Sequence, residues 1–285
     1  MFKNKLIKNN NLNFNYNIFI HGYVGMHLNN AGISYIDDVI YNKPDYCFID
    51  WFSTGYISLT CIYKYLDTIM YKLNSINCQA IFLLFDSKNL NQERLKMYYV
   101  VIEYAKKYNI YYISLFNNEN KNELLRDEVH TTDIGSEYYG NNIYENFLDN
   151  ILNKKMPTIN VLKNELCNIQ VYDYNKIIYD KITISGNAKI IGILQNVGPF
   201  SGKIKLEYNN LTEFQTIWDI YCHYERDNIL ISVLFNGKLT IHNLNENIDT
   251  SLARRQIDWN TYNKCLKLKK IFYIGELRIN ENETN

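Results

Sequence analysis

Through about residue 153 the chain alternates compact apolar runs with segments of helical spacing, joined by short polar links, and few folds accept that order. The runs NIFIH (17–21), YCFIDWF (46–52), QAIFLLF (79–85) and YYISL (111–115) lack the strict alternation of a half-exposed strand. Continuous apolar runs of this length suit parallel strands covered on both faces. Residues 33–41, 57–74, 91–108 and 136–153 space their apolar side chains for helices. Strand and helix in alternation imply right-handed crossovers, hence a parallel sheet wrapped in helices. The segment NKKMPTIN, ending at Asn160, reads as a boundary, so an α/β domain is expected over 1–155 and a second domain over 161–285.

Beyond that boundary the pattern changes. KIIYDKITISG, AKIIGILQNVG, GKIKLEY, NILISVLFNGKLTIHNL and KKIFYIGELRI are strand-like runs punctuated by Gly, Asn and Asp, with residues 250–262 the main helical exception. An all-β, sandwich-like module follows from that punctuation.

Charge then narrows the partners. Lys plus Arg equals Asp plus Glu at 30 each, which argues against nucleic acid and gives no attraction to an anionic membrane surface. No apolar run approaches the roughly 18–20 residues that span a bilayer, and the start, MFKNKLIKNNNLNFNYN, lacks the apolar core of a secretory signal. The six cysteines are widely spaced without a C-x-x-C, as expected of free thiols in a reducing compartment, so a cytoplasmic protein is expected. The 26 tyrosines fit the coding bias of an AT-rich genome, and a few would suit stacking on sugar rings.

The most informative stretch for chemistry is Arg126–Gly140, RDEVHTTDIGSEYYG, read as strand, loop, Asp-x-x-His, loop, Gly and helix. An Asp three residues before a His orients the imidazole and stabilises its protonated form. The His then takes a proton from a hydroxyl and returns it to a leaving group. Asp127 and His130 are the candidate acid–base pair.

On these residues the chain resembles the SGNH/GDSL hydrolases, whose last conserved block is Asp-x-x-His, a polar residue or Pro, a Gly several positions on, and a helix. DEVHTTDIGSEYYGNNIYENFL has that pattern, KPDYCFIDWF is similar to the family's Pro-Asp strand, and the resemblance covers about residues 17–153. It implies ester hydrolysis or acyl transfer, with carbohydrate as the expected substrate class and no cofactor or metal.

The family's other blocks are altered. The Gly-Asp-Ser turn corresponds to His21-Gly22-Tyr23-Val24-Gly25-Met26-His27, where Tyr23 and Val24 stand at the Asp and Ser positions. NNAGISYIDD places Tyr35 near the glycine expected to give an oxyanion N–H, and Phe52-Ser53-Thr54-Gly55 places Thr54 where an oxyanion Asn is expected. The nucleophile or oxyanion role therefore falls to Ser53, Thr54 or Tyr23, with Ser34 a further hydroxyl at the sheet's edge. Gly22, His21, His27 and Ser34 are candidate substrate contacts. The two histidines, joined with Asp127 and His130, also leave a metal site or second acid–base pair as an alternative. A catalytically inactive glycan- or protein-binding module is the competing class.

In the C-terminal half, Trp218-Asp-Ile-Tyr-Cys-His-Tyr-Glu-Arg226 concentrates aromatic and charged residues. Trp218, Tyr221 and Tyr224 suit stacking on sugar rings, with Asp219, His223 and Arg226 binding hydroxyls or a carboxylate. The same stretch also reads as a strand with core on one face and ions on the other.

Overall fold

The computed structural model describes residues 17–22, 28–53, 59–116, 118–152, 154, 159–229, 237–246 and 248–280. They divide into two compact units, the first running through Cys167 and the second from Asn168 onward.

The first unit is mixed α/β. After a π-helical turn at Leu28–Gly32 come α1 (Ile33–Tyr41), β1 (Tyr46–Ile49), α2 (Leu59–Asn74), β2 (Gln79–Phe85), α3 (Gln92–Tyr108), β3 (Tyr111–Leu115), the single turn α4 (Lys121–Leu124) and α5 (Asp133–Asn146). The three strands form a parallel sheet in the order β1-β2-β3, with Cys47 opposite Ala80 and Leu83 opposite Ile113. The central strand β2 buries five consecutive residues, which only a sheet covered on both faces allows. Ile81 and Leu83 point to one face, where Tyr139 and Ile143 of α5 and Phe147 cover them. By the pleat, Ala80, Phe82 and Leu84 point to the other. There Phe82 meets Phe52 edge-on at 5.3 Å.

Local signals set the helix ends. Asn91 caps α3 by accepting from the Arg94 N–H at 2.9 Å, and Asn109 closes it in the left-handed conformation at φ 54°. Thr132 caps α5 through the Gly135 N–H at 3.0 Å. Residues 159–167, from the end of the NKKMPTIN segment onward, pack back on α2. Asn74 donates to the Ile159 carbonyl at 2.5 Å, Asn164 to the Lys64 carbonyl at 3.0 Å, and Lys64 pairs with Glu165.

Three expectations for strands and helices are corrected. Asn17–His21 pairs with no strand among the described residues. Ile18 packs on the core, but Phe19 and Ile20 are 54% and 77% exposed, so the burial that favours a strand is missing. The lead-in to Asp127 is the α4 turn rather than a strand, with only a bridge between Leu125 and Thr131. Residues 250–262 are turns ending in a 3-10 turn at Trp259–Thr261, set by Asp258 accepting from the Asn260 N–H.

The second unit holds two antiparallel sheets. Their strands are β4 (Gln170–Ile178), β5 (Lys181–Gly186), β6 (Ala188–Val197), β7 (Lys203–Tyr208), β8 (Leu211–Thr216), β9 (Arg226–Ile229), β10 (Gly237–Asn243), β11 (Leu266–Gly275) and β12 (Arg278–Asn280). One sheet is ordered β12-β5-β10-β7-β8 and the other β4-β11-β6-β9. Ile184, Leu206 and Ile241 from the first share one core with Ile190, Ile193 and Leu268 from the second.

Candidate active site

An open parallel sheet binds ligands beyond the carboxyl ends of its strands, where the chain turns away. Here the strands hand over to polar side chains at that end: Asp50 follows β1, Asp86 and Ser87 follow β2, and Asn118 lies beyond β3. Asp86 is buried and accepts from the Asn118 N–H at 2.9 Å, which ties the two turns together.

The first turns of α3 connect these loops. Tyr98, fully buried, donates its hydroxyl to the Phe85 carbonyl at 2.9 Å, and burial pushes its phenol well above the ordinary range while Ser53 acts the other way. Four residues earlier, on the same helix face, Arg94 donates to the Ser87 hydroxyl at 2.8 Å and lies 3.7 Å from Glu128. The Lys88 N–H donates to the Glu128 carbonyl at 3.0 Å. Ser53 and the loop carrying Asp127 and His130 are thus both anchored by α3 at one end of the sheet.

That loop is a short hairpin. The Arg126 N–H donates to the His130 carbonyl at 2.9 Å and the Thr132 N–H to the Leu124 carbonyl at 2.9 Å. Asp127 Oδ1 accepts from the His130 N–H at 2.9 Å and the Val129 N–H at 3.2 Å, and the carboxylate also meets His130 Nδ1 at 2.8 Å. The His130 backbone N–H, with the imidazole helping, pulls the Asp127 carboxyl down to about 2. An ionised carboxylate only accepts, so Nδ1 carries the hydrogen and Nε2 of the neutral ring presents its lone pair. Nε2 has no hydrogen-bond partner among the described residues, and the imidazole is 64% exposed.

Of the other expected site residues, Ser53 is buried and donates to Asp50 rather than to His130. Asp50 is exposed as a residue, but burial of its carboxyl pushes it up to about 7, with the Ser53 hydrogen bond opposing. Ser34 sits in the first turn of α1, 3% exposed, its hydroxyl turned away from solvent and without a hydrogen-bond partner among the described residues. Gly22 is exposed in open space, and His21 Nε2 lies 3.4 Å from the Asn42 amide. Tyr23, His27 and Thr54 lie outside the described residues. Among the described residues, no three His, Cys, Asp or Glu side chains converge to hold a metal.

In the second unit the Trp218–Arg226 stretch is a turn leading into β9, not a strand. Asp219 makes the turn by accepting from the Tyr221 N–H at 2.8 Å and also pairs with Arg226. Arg226 is buried beneath the rings of Tyr221 and Tyr224, 5.8 and 5.5 Å from their centroids. Trp218 meets Trp259 edge-on at 5.9 Å, and the His223 ring lies 5.0 Å from Tyr224. These aromatics pack on one another and on the guanidinium.

Asp50, Asp86, Ser87, Arg94, Tyr98 and Asn118 were not foreseen. The visible signal was an acid at the end of an apolar run, in CFID and LLFD. A cleft of about 390 Å³ also opens at the end of β3, lined by Phe116, Asn118, Glu119, Asn120, Tyr138 and Asn142 among others.

Comparison of the chain with protein-family models, curated proteins and solved structures finds no match. Among the described residues no helix is long and apolar enough to cross a membrane.

Proposed function

We propose that the first unit is an SGNH-like esterase or acyltransferase acting on an acylated sugar or glycan, with His130 as base and Asp127 as its orienting partner. The observation that carries this reading is the His130–Asp127 pair at 2.8 Å, fixed by backbone hydrogen bonds, with Nε2 unpaired among the described residues. A general base needs that combination: a locked tautomer and a lone pair open to substrate. The cleft beyond β3 supports the substrate class, because Asn118, Asn120 and Asn142 offer amides and Tyr138 a ring face to a polyhydroxylated ligand. The six free thiols are consistent with the cytoplasm.

The competing reading, a non-catalytic SGNH-like module that binds glycan or protein, is favoured by one observation: the Ser53 hydroxyl is engaged by Asp50, not by His130. Hydrolysis of p-nitrophenyl acetate and of an acetylated sugar by wild type, His130→Ala and Asp127→Ala separates the two, with folding checked by circular dichroism. The esterase reading expects His130→Ala to lower kcat/KM by about 10²–10⁴. Equal rates in wild type and folded mutants refute it.

A further inference from the structure

We infer that Ser53 is the nucleophile of this site and Asp50 the base that takes its proton, an assignment that rests on the ester-chemistry reading above. Ser53 lies in the turn after β1, at the carboxyl end of the sheet, and its Oγ–H points at the Asp50 carboxylate. A serine hydroxyl donated to a carboxylate is already on the path of proton transfer, as nucleophile–base pairs require. The side chain is not free to turn away, since Ser53 is 5% exposed and packed beside the Tyr98 phenol, itself anchored on the Phe85 carbonyl. An ordinary carboxylate is too weak a base for this at neutral pH. Asp50 differs because burial of its carboxyl raises it above the ordinary carboxylate range, beside the Ser53 hydroxyl that it accepts from. Among the described residues the Ser53 hydroxyl donates to Asp50 and His130 Nδ1 pairs with Asp127, which leaves His130 for a different proton.

The steps balance without any added reactant except water. Ser53 Oγ bonds to the acyl carbon as its proton passes to Asp50. The carbon–oxygen bond to the sugar then breaks, and the departing oxygen takes a proton from Nε2 of His130, which enters this step in its protonated form and leaves it as the neutral ring with the open lone pair. Neutral His130 next takes a proton from water, whose oxygen bonds to the acyl carbon. The bond to Ser53 Oγ breaks, and Oγ recovers its proton from Asp50. The products are the free sugar hydroxyl and the carboxylic acid. With a second sugar hydroxyl in place of water the same steps transfer the acyl group.

The test is diisopropyl fluorophosphate, which bonds to an activated serine oxygen with loss of fluoride and needs no knowledge of the natural ester. Wild type, Ser53→Ala and Asp50→Asn are labelled, the modified residue is mapped by peptide mass spectrometry, and acetate hydrolysis is measured alongside. The expected result is a single adduct on Ser53, absent in Ser53→Ala, and formed at least about 100-fold more slowly in Asp50→Asn. A label elsewhere, or no label on folded wild type, overturns the assignment, and that arm depends on no variant's folding. Hydrolysis that survives in Ser53→Ala but is lost in His130→Ala overturns the assignment and leaves the esterase reading standing. A Ser53 adduct on a protein that hydrolyses no ester upholds the nucleophile and removes the proposed substrate.

Discussion

Gly135 is where the acid–base loop depends most directly on the absence of a side chain. A Cβ built there lies 1.9 Å from the Leu124 carbonyl oxygen and 2.8 Å from its carbon. Both are backbone atoms, so no side chain can swing aside. Restoring ordinary contact requires a shift on the order of 1.5 Å between the start of α5 and the hairpin. That shift breaks the hydrogen bond from the Thr132 N–H to the Leu124 carbonyl, 2.9 Å, and the one that Thr132 Oγ1 shares between the Glu123 and Leu124 carbonyls, 2.9 and 3.2 Å, and disturbs the Thr132 cap. Two hydrogen bonds at about 1 kcal/mol each and a cap at about 1 kcal/mol make a loss of about 3 kcal/mol. Alanine recovers about 1 kcal/mol through its helix propensity. Gly135→Ala should therefore destabilise the first unit by about 2 kcal/mol, a fall in Tm of roughly 4–8 °C for a unit of this size. Thermal melting and urea titration measure it, and amide exchange over 124–132 should quicken. A variant that melts at or above wild type would refute the reasoning, because helix propensity would then outweigh the clash.

The pH dependence of the pair has a definite sign. The folded Asp127 carboxyl is held down at about 2, so its contribution is present above the unfolded value and lost as pH falls through the folded one. The Val129 and His130 amide resonances should titrate with a midpoint near about 2, and a midpoint near the ordinary value of about 4 would count against the backbone hydrogen bonds. Tyr98→Phe removes the donor to the Phe85 carbonyl and should cost about 1–2 kcal/mol in urea unfolding. An unchanged midpoint would mean that this carbonyl finds another donor.

The elements legible in the sequence are those whose burial is continuous or whose signals are local. Gln79–Phe85 and Tyr111–Leu115 form the strands expected of them because sheet and helices bury both faces of β2. NIFIH also holds an apolar run, but such a run becomes a strand only with a neighbour to pair, and Phe19 and Ile20 face outward. Trp218–Arg226 alternates like a strand, yet Asp219 captures the Tyr221 N–H and turns the chain. At the site, Asp127 and His130 were legible because the pair closes within three residues. Asp50 and Ser53 are equally close in sequence, but the acid stands inside the apolar run YCFIDWF and passes for part of a strand. The connections through Arg94, Ser87, Tyr98 and Glu128 join three separate segments, and no local pattern encodes them.

The pairing of the second unit also bears on how it is made. β11 is the strand that joins β4 to β6, β10 joins β5 to β7, and β12 closes on β5. During synthesis from the N-terminus, β4, β5 and β6 leave the ribosome long before those partners exist. Hairpin β7–β8 can form at once, but neither sheet is complete until Leu266–Gly275 has emerged. In that interval Ile182, Ile184, Ile190 and Ile193 lack Leu266, Leu268 and Ile271 of their shared core, and with its sheets incompletely covered a nascent chain of this protein then gains most from a chaperone.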